Sequence, residues 1–151
     1  MSRALIIYGS TTGNTESIAE EIGAILSDAG VETVIRNAAD ISAAENLAEG
    51  FDAVLMGCSC WGDEEIELQE DFVPLAEKFS EMGLKGKKVA AFASGDSSYQ
   101  HYCAAVDVIE AAARENGASL IAEGLRVEGA ASDAPDDVRN FAEEIARALA
   151  S

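Results

Sequence analysis

The sequence predicts a doubly wound α/β sheet in one domain, 1–151, and three observations predict it. Short apolar runs alternate with helical stripes from end to end. The runs are continuous rather than alternating, as in parallel strands covered on both faces. No linker, repeat or low-complexity tract interrupts the pattern. Five strands separated by helices then form one sheet with helices on both faces.

Each element carries its own signal. The first strand is ALIIYG, 4–9. Ile18, Ile22, Ile25 and Leu26 follow at helical spacing, with Gly30 as the stop. The next strands are VETVIR, 31–36, and AVLMGC, 53–58. The stretch 65–79 is less regular, and Pro74 breaks it into two short pieces. VAAFAS, 89–94, is the fourth strand, and Val106, Ile109 and Ala113 mark a helix ended by Gly117. The fifth strand is split within 119–129. Val138, Phe141, Ile145 and Leu149 form the last stripe, entered through Pro135 and the acidic pair Asp136 and Asp137.

Composition narrows the function. The chain of 151 residues carries 28 acidic and 10 basic side chains, a net charge of −18. Nucleic acid and anionic membrane surfaces demand positive charge, so both are poor partners. A protein partner with a basic patch fits, and so does an acidic surface that only confers solubility. No apolar run has the length of a signal-peptide core or a membrane span. Three cysteines do not suggest a disulfide framework, and a reducing cytoplasm is the expected location.

Sheets of this kind bind ligands beyond the carboxyl ends of their strands, where strand order reverses. The first loop there is Ser10-Thr11-Thr12-Gly13-Asn14-Thr15, running from strand into helix. Its hydroxyls, its amide and the first-turn N–H groups suit a phosphate without any cation. An ordinary helix start capped by Thr12 or Asn14 is the alternative. A Walker A loop is excluded, because the Gly9 to Gly13 spacing is one residue short and Asn14 replaces lysine. A G-x-G-x-x-G fingerprint is also absent.

The second loop, Ser59-Cys60-Trp61-Gly62-Asp63, holds the only tryptophan of the chain and opens a run of six acids within 63–71. A tryptophan in a polar loop suits a flat ligand or an exposed partner contact. The third loop is Ser94-Gly95-Asp96-Ser97-Ser98-Tyr99, where Tyr99 offers a second aromatic face or sits half-buried. A phosphate cradle and two aromatic plates describe a planar ring system carrying a phosphate. No Lys or Arg lies between Arg3 and Arg36, Arg36 and Lys78, or Lys88 and Arg114. Phosphoryl transfer needs cations on developing charge, whereas a phosphate used as an anchor does not.

YGSTTGNTE, CSCWGD with its acidic run, and ASGDSSYQHYC together resemble the three FMN-binding loops of flavodoxins, over essentially the whole chain. The likeness is greatest to the short-chain type of sulfate-reducing bacteria, since 118–129 carries no insertion. It implies a flavodoxin-like three-layer sandwich with a five-stranded parallel sheet of order 2-1-3-4-5, an order for which that family is the standard example. It implies that Ser10, Thr11, Thr12, Asn14 and Thr15 bind the FMN phosphate, with Gly13 in the same turn. Trp61 and Tyr99 would flank the isoalloxazine ring, and Gly62, Asp63, Gly95, Asp96 and Cys103 would line its polar edge. Ser59, Cys60, Ser94 and Tyr102 belong to the same motifs. Cys60 and the pair Ala93-Ser94 depart from relatives that carry threonine and Gly-Cys there.

The implied function is low-potential electron transfer, one electron at a time, on non-covalently bound FMN through a neutral semiquinone. The Gly62 peptide is expected to turn its carbonyl toward the flavin N5 proton on reduction, a change that glycine makes cheap. Surrounding acids and two π faces would disfavour the anionic hydroquinone. Redox proteins with basic docking patches are the expected partners, in a ferredoxin-like role, and the chain is expected to be a monomer. The alternative is an FMN-dependent reductase of quinones or small acceptors. A receiver domain is disfavoured, since Met56-Gly57-Cys58 supplies no phosphoacceptor aspartate. Cys58-x-Cys60 reads as a strand-end thiol beside a loop thiol rather than a metal site, and His101 as a solvent-facing side chain.

Overall fold

The computed structural model describes residues 2–9, 13–41, 47–61, 67–68, 72, 78–95 and 105–150, with side chains at all of these except 59–61, 67–68 and 95. In chain order the elements are β1 (Arg3–Gly9), α1 (Asn14–Asp28), β2 (Glu32–Asn37), β3 (Ala53–Trp61) and β4 (Glu67–Leu68). There follow β5 (Lys88–Gly95), α2 (Ala105–Glu115), β6 (Ser119–Leu120), β7 (Leu125–Glu128) and α3 (Pro135–Ala150). Pro135 occupies the first helical position of α3 and Asp136 and Asp137 its first turn, as the sequence predicts.

The sheet runs β2-β1-β3-β5, then β6 and β7, which pair with successive parts of β5. These two pieces are the split fifth strand, so the order is the expected 2-1-3-4-5. All these pairings are parallel. The interruption at 121–124 contains Gly124, where an added Cβ would collide with Val106 of α2. The helix therefore packs closely over a point where the strand yields.

Alternate residues of each strand enter two cores. On one face Leu5, Ile7, Val54, Met56, Val89 and Ala91 pack with Val106, Ile109 and Ala113 of α2. On the other, Ile6, Leu55, Ala90 and Phe92 meet Ile18, Ile22 and Leu26 of α1 and Val138, Phe141, Ile145 and Leu149 of α3. Burying each such aliphatic side chain contributes about 2 kcal/mol. This two-sided burial is why the runs read as continuously apolar.

Both central helices end where glycine predicts. At Gly30 (φ 89°) the Val31 amide donates to the Leu26 carbonyl at 3.0 Å, and at Gly117 (φ 79°) the Ala118 amide donates to Ala113 at 3.0 Å. Each is a Schellman closure of the last turn.

Three local expectations are corrected. β2 is only partly covered, because it is the outer strand: Val34 packs against one core and Ile35 lies against Gly23 of α1, yet Ile35 is 39% exposed. Cys60 and Trp61 are strand rather than loop. β3 outruns its parallel partners and pairs Cys60 with Leu68 and Trp61 with Glu67, antiparallel. Glu67–Leu68 is accordingly a strand within the stretch expected to form two irregular pieces; Pro74 lies outside the described residues.

Candidate cofactor site at the carboxyl ends of β1, β3 and β5

Strand order reverses between β1 and β3, since β1 continues to β2 on one side while β3 and β5 extend the sheet on the other. Register aligns the ends of these central strands. Gly9 lies level with Cys58, Ser59 with Ser94, and Gly95 with Glu128. The three expected loops therefore leave neighbouring strands at one sheet edge.

The first loop delivers the chain into α1. Its N-cap is Gly13, at φ 92° and without a side-chain cap, and not Thr12 or Asn14. The left-handed backbone there is one that glycine adopts freely and other residues adopt only with strain. The first helical hydrogen bond runs from the Ser17 amide to the Gly13 carbonyl at 3.0 Å. The amides before it belong to the open, partially positive end of the helix. No Lys or Arg occurs in the loop or this turn.

Side chains fasten that turn to three other parts of the fold. The Tyr8 hydroxyl on β1 donates to Glu16 Oε2 at 2.6 Å. The Thr15 and Ser94 hydroxyls join α1 to β5 at 2.6 Å, with both residues buried. The Ser17 hydroxyl donates to the Asn14 carbonyl at 2.7 Å and accepts from the Ala131 amide at 3.1 Å. Anchors of this kind fix this end of the helix before any ligand arrives, which lowers the ordering cost of binding.

Tyr8 is held protonated to high pH. Burial, and then its hydrogen bond to Glu16, push its pKa up to about 12, while a hydrogen bond with Asn37 opposes the shift. The phenol is thus a hydrogen-bond donor throughout the physiological range.

At the third loop, β5 carries Ser94 and Gly95 to the edge. After the loop, Asp107 in the first turn of α2 takes a two-pronged ion pair from Arg126 of β7, at 2.7 and 3.3 Å. Both partners are substantially exposed, so the pair contributes only a fraction of a kcal/mol. Cys58 is a buried thiol among apolar neighbours. Among the described residues no group of three or more His, Cys, Asp or Glu gathers to hold a metal.

The predicted site residues thus divide. Gly13, Asn14, Thr15 and Ser94 are placed with their side chains, and Ser59, Cys60, Trp61 and Gly95 by their backbone; all eight stand at the one edge. Ser10, Thr11, Thr12, Gly62, Asp63, Asp96, Tyr99, Tyr102 and Cys103, like His101, lie outside the described residues. Tyr8, Glu16 and Ser17 support the site and were not singled out from the sequence. Only the adjacency of Tyr8 and Glu16 to the glycine-bounded loop hinted at it.

A protein-family model described as flavodoxin matches residues 6–150. The chain is 45% identical to a flavodoxin of Nitratidesulfovibrio vulgaris (strain Miyazaki F), over 99% of this chain and 100% of that one. It is 47% identical to a flavodoxin of Maridesulfovibrio salexigens, over 85% of this chain and 88% of the other. Among solved structures, oxidised flavodoxin 2 of Bacillus cereus superposes with a TM-score of 0.83 at 35% identity, covering 97% and 99% of the two chains.

Proposed function

The chain belongs to the flavodoxin family, and from that premise we propose that it is a low-potential carrier moving one electron at a time through a neutral semiquinone of non-covalently bound FMN. It is an electron-transfer protein rather than an enzyme, and FMN is the group that supplies the redox chemistry. The polypeptide's task is to bind the group, orient it and set its electrostatic surroundings.

The observation that carries the reading is the alignment of the carboxyl ends of β1, β3 and β5 at the reversal point of the sheet. The donor set there fits the phosphate: a glycine-capped helix N-terminus, hydroxyls and no cation. Ser10, Thr11, Thr12, Gly13, Asn14 and Thr15 would hold it. Trp61 and Tyr99 would flank the ring, with Ser59, Cys60, Gly62, Asp63, Ser94, Gly95, Asp96, Tyr102 and Cys103 completing the pocket. The whole chain, 1–151, is read as one such domain, monomeric and cytoplasmic. Among the described residues no helix is long and apolar enough to cross a membrane. No observation favours the reductase alternative.

The acidic run after Trp61 and the net charge of −18 support a low second potential and docking to basic patches. Spectroelectrochemical titration should place the second one-electron potential well below that of free FMN. A value equal to free FMN would contradict the electrostatic account. Electron-transfer rates with basic partners should fall as salt rises; salt-independent rates would rule out charge-guided docking.

A further inference from the structure

We infer that Ser94 is a positioning residue for the FMN phosphate and acts through Thr15: the Ser94 hydroxyl donates to Thr15 Oγ1 and so commits the Thr15 proton to the phosphate. This rests on the proposed role of Ser10–Thr15 as the phosphate cradle. Ser94 follows Ala90 and Phe92 along the face of β5 that packs beneath α1. Its backbone sits in the ladder between Ser59 of β3 and Val127 of β7. The sheet, rather than a loop, therefore sets where its oxygen lies. Thr15 stands directly above in the first turn of α1, fully buried, with Ser94 only 2% exposed.

The two oxygens are 2.6 Å apart, so one proton lies between them, and either hydroxyl is able to supply it. An anionic acceptor decides the direction. A hydrogen bond to a charged oxygen is roughly twice as strong as one between neutral groups. The arrangement in which Thr15 donates to phosphate and accepts from Ser94 therefore outweighs its reverse. A hydroxyl that accepts one hydrogen bond also becomes the better donor of the next. Ser94 thus ties the electrostatics of the first loop to the strand that leads into the third.

The test compares FMN with riboflavin, which has the ring but no phosphate, by quenching of flavin fluorescence on apoprotein. Ser94→Ala should weaken FMN about five- to tenfold more than it weakens riboflavin. The double variant Thr15→Val/Ser94→Ala should bind FMN no more weakly than Thr15→Val alone, because the relay is already broken. The phosphorus resonance of bound FMN should shift in Ser94→Ala. Ser94→Cys, of similar size but a weaker donor, should fall between parent and Ser94→Ala, and it serves should the alanine variant fold poorly. Equal losses for both ligands, or additive losses in the double variant, would overturn the relay. A parent protein that binds riboflavin as tightly as FMN would instead overturn the phosphate cradle itself.

Discussion

Gly57→Ala is expected to lower the stability of the apoprotein by about 3 kcal/mol, read as a lower urea midpoint at unchanged slope. Gly57 lies in β3 between Tyr8 of β1 and Phe92 of β5. An added Cβ would collide with the Phe92 ring and stand 2.5 Å from the Phe92 carbonyl oxygen. The ring cannot swing aside, since Phe92 is fully buried in a core filled from both helices. The carbonyl belongs to a sheet ladder and has nowhere to go. Relief requires β3 and β5 to separate just below Ser59 and Ser94, the level from which two cofactor loops emerge. FMN affinity should therefore fall together with stability. A variant within 0.5 kcal/mol of the parent would show that the strands accommodate a methyl group there, against this packing.

The second large effect is a loss of stability at alkaline pH that depends on Tyr8. Its pKa is raised from 10.0 to about 12 in the folded protein, first by burial and then by Glu16. A raised folded pKa means that the native state keeps a proton which the unfolded chain releases near pH 10. The contribution is complete below pH 10 and disappears as pH rises through about 12. Its size is about 3 kcal/mol. Urea unfolding of the parent and of Tyr8→Phe across this range isolates the term. The parent should be more stable than Tyr8→Phe below pH 10, by the hydrogen bond to Glu16 as well, and that advantage should shrink steadily above it. Parallel curves would contradict a buried, hydrogen-bonded phenol.

Tyr8 also shows where the sequence stops being informative. The strands and the three long helices were legible because their signals are local: apolar runs, stripes at helical spacing, and glycines at Gly30 and Gly117. The sheet edge that carries the site followed from topology. The antiparallel pair of Cys60 with Leu68 and Trp61 with Glu67 was not legible, since two residues in an acidic stretch carry no periodicity. Their strand exists only because β3 outruns its parallel neighbours. The helix cap was misjudged for a related reason. Thr12 and Asn14 are good caps by propensity, but the backbone of this turn requires the left-handed conformation at Gly13. Contacts between Thr15 and Ser94, 79 residues apart, arise from the register of β5 and leave no trace in either local sequence.

The cation-free first loop, the aromatic residues Trp61 and Tyr99 and the acidic run of the sequence form one scheme under the proposed function. On that proposal the phosphate would be an anchor held by hydroxyls and helix amides. The three loop sequences hold no Lys or Arg, which would keep positive charge away from a ring whose fully reduced form is an anion. Stepwise anaerobic reduction of the FMN-loaded protein, followed by absorption spectroscopy, tests this most directly. The account predicts a yellow protein that passes through a blue neutral semiquinone before full bleaching. A protein that retains no flavin, or that bleaches in a single two-electron step without the blue species, would contradict it.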